Sequence, residues 1–258
     1  MDTVVSTDGT TIAYDRLGSG PPVVLIGGGP TDRMAQAELA GLLSAGLTVY
    51  NYDRRGRGDS GDTAPFAVER EYEDLAAVIG AAGGSAGVYG SSGGAILALR
   101  AAMYGVPIAR LALWEPPFTV SGARSPAPAD WGAHVAKLVA AGQRGDAIEY
   151  WMVDVVGMPR EIVAPIRQAP FWSAMEAVAH TLPYDAAIVG DFSIPAELGA
   201  ISAPTLLLDG DVSFPWIRRA VDEVAAALPD VEQRTLAGQA HNVAADALAP
   251  VLLRFFGA

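Results

Sequence analysis

Val88-Tyr89-Gly90-Ser91-Ser92-Gly93-Gly94-Ala95 stands near the middle of the chain, with a short apolar stretch before it and a run of helical character after it. Glycines two residues to either side of Ser92 give the pattern Gly-x-Ser-x-Gly, and a serine so placed rides on a tight strand-to-helix turn. The turn forces the serine into a strained backbone conformation, and the flanking glycines let its two arms pass without a clash. The pattern centres on Ser92, because centring it on Ser91 would put Tyr89 where a glycine is needed. A serine lifted in this way is a candidate nucleophile at the end of a strand.

Outward from that turn, the N-terminal half alternates β-rich runs with helical patterns, which predicts a mostly parallel sheet. Residues 3–6 and 11–14 read as a hairpin about Asp8-Gly9. Strands are expected over 23–26, 47–52 and 109–114, and helices over 34–43, 69–81 and 95–103. From Pro116 to about Gly199 the periodicity changes: prolines and aromatics accumulate, helical patches fall near 131–141 and 145–156, and no strong strand follows. That stretch reads as an inserted helical lid. The strand and helix pattern resumes over 205–208, 216–228, 232–236 and 245–256. The expected organisation is therefore a core of 1–115 and 200–258 with an insertion of 116–199.

At 258 residues and 51% hydrophobic content the chain can bury one substantial core. A net charge of -12, with Lys137 as its one lysine, disfavours nucleic acid and anionic membranes as partners, since both need a positive footprint. Without cysteine there is no disulfide, thiolate metal site or cysteine nucleophile, and the redox compartment is unreadable. The first residues lack the basic and apolar segments of a signal peptide, and no apolar run reaches membrane-spanning length, so a cytoplasmic protein is expected.

Four further segments join the serine turn: Gly27-Gly28-Gly29-Pro30, Tyr52-Asp53-Arg54-Arg55-Gly56-Arg57-Gly58-Asp59-Ser60, Ala203-Pro204-Thr205-Leu206-Leu207-Leu208 and Gly238-Gln239-Ala240-His241. In this order, over nearly the whole chain, they resemble the α/β-hydrolase superfamily, in its serine-nucleophile, esterase- or lactonase-like branch. The resemblance implies the α/β-hydrolase fold, a mostly parallel central sheet flanked by helices with a helical lid inserted after strand six. It also implies an oxyanion hole made by the backbone N–H groups of Gly29 and Gly93, for which the glycine where relatives often carry histidine, Gly27, is no obstacle. Asp53, Arg54 and Asp59 are expected to be structural.

The family takes its general base from a loop after the last strand, which points to His241; Gly238 breaks the strand before it and a helical run follows. His134 and His180 read as surface or packing residues. The triad acid is less direct. The family's commonest aspartate lies three residues after the glycine ending strand seven, yet Gly210 is followed by Asp211, Val212 and Ser213. Some members draw the acid from the end of strand six, where this chain has Glu115, and Glu115 is the expected acid. Asp211, Asp209 or no acid at all remain the alternatives, and Glu115 could instead cap a turn or pair with an arginine.

Aromatics crowd the insertion, and a small helical unit must bury some of them merely to fold. Phe118, Trp151 and Trp172, with Trp216 beyond it, are the candidates for an apolar substrate wall. The expected activity is a serine hydrolase acting on a small, largely apolar ester, thioester or lactone through an acyl-enzyme. No metal or organic cofactor is expected, the expected partner is a small-molecule substrate, and the oligomeric state is not readable. A serine nucleophile argues against the family's epoxide hydrolases and dehalogenases, whose chemistry requires a carboxylate. Carbon-carbon bond hydrolysis, perhydrolysis and lyase chemistry stay open with the same serine and histidine. So does a non-catalytic small-molecule receptor, for which the missing aspartate is the motive.

Overall fold

Short β-branched and apolar runs supply eight strands: β1 (Asp2–Val5), β2 (Thr11–Leu17), β3 (Pro22–Ile26), β4 (Thr48–Tyr52), β5 (Ala86–Ser91), β6 (Ile108–Trp114), β7 (Thr205–Gly210) and β8 (Val231–Leu236). In the computed structural model, which describes residues 1–257, they form one sheet in the order β1-β2-β4-β3-β5-β6-β7-β8. β1 and β2 pair antiparallel, as do β2 and β4, and every later pairing is parallel. Ten α-helices accompany the sheet: α1 (Ala37–Leu43), α2 (Val68–Ala81), α3 (Gly93–Tyr104), α4 (Trp131–Ala140), α5 (Arg144–Tyr150), α6 (Arg160–Ile166), α7 (Trp172–Val178), α8 (Leu182–Val189), α9 (Pro215–Ala227) and α10 (Ala245–Phe256).

Alternation along each strand divides the core into two layers. Val23, Leu25, Val49, Ala112, Trp114, Leu206 and Leu208 pack with Leu39, Leu43, Leu248 and Leu252 of α1 and α10. Their neighbours Val24, Ile26, Tyr50, Val88, Leu111, Leu113 and Leu207 pack on the opposite face with α2, α3 and α9. Both faces being covered explains why β3 and the Leu206-Leu207-Leu208 centre of β7 read as unbroken apolar runs. β3 lies between β4 and β5, so the connections leaving β3 and β4 run to opposite sides. A crevice opens at the carboxyl ends of strands where the order reverses. The Gly27–Pro30 loop and Ser92 both follow strands at that point.

The stretch expected to be helical over 34–43 is a 3₁₀ turn, Arg33–Gln36, running into α1. Tethers on both sides account for the tighter turn. Arg33 pairs with Asp15, Asp53 and Asp59, and the Gln36 side-chain amide donates to the Ile26 carbonyl at 3.2 Å.

Between β6 and β7 the chain forms α4 to α8 and a π-helical turn, Trp151–Val156. The last of these helices, α8, packs on α4 and also on α2 and α3 of the core. Its Asp185 accepts hydrogen bonds from Arg54 at 2.8 Å and from Arg57 at 2.8 and 2.9 Å. Arg54 also pairs with Glu71, and Arg55 with Asp74 and Asp8. Removing one partner from a buried ion pair costs about 3–5 kcal/mol, because the remaining charge is left without compensation. The Asp53–Ser60 loop is thus a buried hub joining α2, α8 and the hairpin. Among the described residues, no helix is long and apolar enough to cross a membrane.

Candidate active site

Ser92 sits between β5 and α3 with φ 53° and ψ -123°, a left-handed conformation for a residue with a side chain. Such strain costs on the order of 1–3 kcal/mol and persists where the surroundings impose it. Here the Ser92 amide donates to the Trp114 carbonyl at 2.8 Å, and the flanking glycines allow the close approach. A Cβ at Gly90 would stand 2.5 Å from the Gly94 carbonyl oxygen, and one at Gly94 would stand 2.6 Å from that of Ile26. The pentapeptide is therefore dictated by space as much as by chemistry.

The Ser92 Oγ lies 3.1 Å from His241 Nε2, and His241 Nδ1 lies 2.6 Å from Glu115 Oε2. A carboxylate only accepts, so Nδ1 carries the ring proton and Nε2 presents a lone pair to the serine hydroxyl. Glu115 follows β6 directly, has φ 45°, and is fully buried. Its amide donates to the Leu208 carbonyl at 3.0 Å. Its Oε1 accepts from the Gly210 amide at 2.9 Å, and Oε2 accepts from Ser213 Oγ at 2.8 Å. The indole N–H of Trp114 donates to the His241 carbonyl at 2.8 Å, which fixes the loop that bears the imidazole.

Gly29 and Gly93 come together across the crevice: a Cβ on Gly93 would stand 3.9 Å from the Gly29 nitrogen. Gly93 opens α3, where the first N–H groups of a helix have no intrahelical partner. Thr31 Oγ1 donates to the Gly28 carbonyl at 2.8 Å. Because a trans peptide sets its C=O and N–H on opposite sides, this bond aims the Gly29 N–H away from Thr31. Arg57 donates to the Gly29 carbonyl and, at 3.2 Å, to that of Thr31. The ring of Trp151 lies over the same loop, with Cη2 3.1 Å from where a Gly29 Cβ would be.

The other residues singled out in the sequence fall elsewhere. Asp211 accepts from the Gly238 amide at 2.6 Å, while Asp209 accepts from Thr235 at 2.7 Å and Arg218 at 3.2 Å. His134 packs against Tyr150 with centroids 4.2 Å apart and ring planes tilted by 38°, and His180 lies in a 3₁₀ turn before α8. Phe118 is fully buried in the core layer. Trp172 packs near Gly145 and 5.9 Å from the Arg167 guanidinium, in the packing of α5 and α7. Trp216 lies under the guanidinium of Arg124 at 4.1 Å.

Ser213, Thr31, Arg57 and Trp114 support the site and were not anticipated in these roles. Ser213 did carry a signal, since it occupies the position three after Gly210 where the family's usual aspartate would stand. Among the described residues, no group of three or more His, Asp and Glu side chains could hold a metal ion.

The alpha/beta hydrolase family model matches residues 23–251. An alpha/beta hydrolase from Sphaerobacter thermophilus DSM 20745 is 55% identical, with a TM-score of 0.96 over 99% of this chain and 100% of that one. A thermophilic esterase from Thermogutta terrifontis shares the fold at 22% identity and a TM-score of 0.76, covering 100% of this chain and 99% of its own. An enol-lactonase from Burkholderia xenovorans LB400 does so at 22% identity and a TM-score of 0.74, with both chains covered completely. No curated protein matches the chain.

Proposed function

Since the chain belongs to the alpha/beta hydrolase family, we propose that it is a serine hydrolase cleaving small, largely apolar esters or lactones through an acyl-enzyme. The observation that carries this reading is the unbroken relay from Ser92 Oγ through His241 to Glu115. In the first half-reaction His241 Nε2 takes the hydroxyl proton as Ser92 Oγ attacks the acyl carbon. The N–H groups of Gly29 and Gly93 receive the negative charge that develops on the carbonyl oxygen. The imidazolium then protonates the departing alkoxide, and water, activated by the same nitrogen, releases the acid. Glu115 holds the tautomer and balances the imidazolium charge. Trp151, over Gly29, forms an apolar wall beside the acyl group. The esterase and enol-lactonase that share this fold favour cleavage of an acyl–oxygen bond.

A panel of 4-nitrophenyl esters of graded chain length, aliphatic lactones and a 1,3-diketone tests the reading. Ser92→Ala should lower turnover by on the order of 10⁴-fold with an unchanged melting profile, while Ser91→Ala stays close to wild type. A Ser92→Ala enzyme that hydrolyses esters normally would refute the nucleophile. Cleavage of the diketone alone would move the chemistry to carbon-carbon bonds.

A further inference from the structure

Four arginines near the N-terminal strands are matched by acids: Arg33 with Asp53, Arg54 with Glu71, Arg55 with Asp74 and Arg57 with Asp185. Arg124, in the connection between β6 and α4, differs. Its guanidinium lies over the rings of Trp216, at 4.1 Å, and Phe192, at 5.1 Å. Its polar contacts are with neutral oxygens: Nε and Nη2 donate to Thr119 Oγ1 at 3.3 and 3.2 Å, and Nη1 donates to the Val155 carbonyl at 3.4 Å. All three bonds are long, and a guanidinium carries five N–H donors, so two remain unused. Burial lowers its hold on the proton, and no carboxylate among the described residues opposes that effect. Arginine nevertheless stays charged. A partly buried cation without a counter-ion is costly, and aromatic faces offset the cost only in part.

The supports of Arg124 also connect to the candidate catalytic groups. Thr119 lies four residues after Glu115. Val155 shares the π-helical turn with Trp151, whose ring lies against Gly29. Trp216 lies three residues after Ser213, which donates to Glu115. Three to four residues of chain reach at most ~10–14 Å. The cation is therefore held on segments that each touch the reacting region, with part of the residue still accessible to solvent.

We infer that Arg124 is a substrate-binding residue that receives a carboxylate, so that the preferred substrates are esters or lactones bearing one anionic carboxylate besides the scissile acyl group. This inference rests on the hydrolase reading above and amends its substrate class, adding one anionic group to an otherwise apolar ester or lactone. Ring faces cover the guanidinium, so its N–H edges are what it offers, and a carboxylate meets such an edge in plane with charge-assisted bonds. The net charge of -12 gives no long-range attraction for an anion, which leaves recognition to this one local cation.

The test compares matched pairs. One pair is the monomethyl ester of glutaric acid and the corresponding methyl glutaramate; the other is the acetate of 4-hydroxybutyric acid and of its amide. The first puts the carboxylate on the acyl side, the second on the alcohol side. In at least one pair kcat/KM for the carboxylate should exceed that of the amide by about 10- to 100-fold, mainly through KM. Arg124→Gln should collapse that ratio towards one, and Arg124→Lys should restore part of it. The ratio within each variant is insensitive to a general loss of activity, as a merely structural arginine would cause. No preference in either pair of the wild-type protein overturns the inference without needing any variant to fold. So does a preference that survives Arg124→Gln. If no ester is turned over, the hydrolase reading fails separately; calorimetric titration of the wild-type protein with each pair then decides, and equal affinities for carboxylate and amide overturn the inference.

Discussion

Replacing Glu115 by glutamine changes one atom and, by this geometry, reverses the proton relay. The Gly210 amide donates to Oε1 at 2.9 Å, and a backbone N–H can face only the oxygen of a carboxamide. The glutamine oxygen is thereby pinned at the Oε1 position, leaving its NH₂ where Oε2 now stands, facing Ser213 Oγ and His241 Nδ1. Ser213 adapts by rotating its hydroxyl to accept. His241 has to accept at Nδ1 as well, which moves the ring proton to Nε2 and takes away the lone pair that Ser92 needs. Tautomer inversion of this kind, with loss of the charge beside the imidazolium, costs on the order of 10² to 10⁴ in kcat, equivalent to about 2.7–5.4 kcal/mol of barrier. The assay is steady-state hydrolysis of 4-nitrophenyl acetate by purified Glu115→Gln and wild-type protein, with circular dichroism melting as a check that the buried site still folds. Glu115→Asp withdraws the carboxylate by ~1.5 Å, one carbon-carbon bond, and should also be impaired. Asp211→Asn should remain within about threefold, because its amide oxygen can still accept from Gly238. A Glu115→Gln enzyme within threefold of wild type, with an unchanged melt, refutes the role given to Glu115.

Gly28→Ala should lower kcat by about 10²-fold with a smaller change in KM, since its Cβ would stand 2.4 Å from the Ser91 carbonyl oxygen and displace the Gly29 donor. Gly27→Ala, whose nearest neighbour would be Thr31 Oγ1 at 3.2 Å, is the milder comparison. Burial raises the Asp8 carboxyl, but hydrogen bonds from Arg55 and Thr10 outweigh it and hold the group below the ordinary aspartate range. A lowered folded-state value means that the ionised carboxylate stabilises the fold above the unfolded value near ~3.9, and that this contribution fades as pH falls below it. Asp8→Asn should therefore lower the melting temperature at pH 7, with the gap to wild type narrowing below about pH 3; a gap independent of pH refutes the linkage.

Local sequence revealed the serine turn because its requirements are local: Gly90, Ser92 and Gly94 interact with one another and with the adjoining β3 loop. The strands of the parallel sheet were legible for a related reason, since burial on both faces leaves an apolar run. The place of Glu115 could be read from the end of β6, but its function depends on Gly210, Ser213 and His241, each about a hundred or more residues away. Nothing adjacent to Asp185 announces that it meets Arg54 and Arg57, because that contact exists only once α8 lies on the core. The aromatic pattern likewise did not separate Trp151, which reaches Gly29, from Trp172, which packs with Gly145 and Arg167. Both are large apolar residues in helical surroundings, and only the packing distinguishes them.

The attachment of α8 bears on how a molecule could enter and leave. Swinging this helix off the core would uncover Leu182, Ile188 and Val189, each buried side chain representing about 1.5–3 kcal/mol. It would also separate Asp185 from both arginines, one of which holds the Gly29 carbonyl. The apolar term alone would confine so large an opening to about one molecule in 10³ or fewer. Wholesale hinging of the insertion is therefore an uneconomical route, and it would disturb the Gly27–Pro30 loop at the moment of entry. With α8 in place, Asp185 keeps its hold on Arg57 and Arg57 its hold on the Gly29 carbonyl.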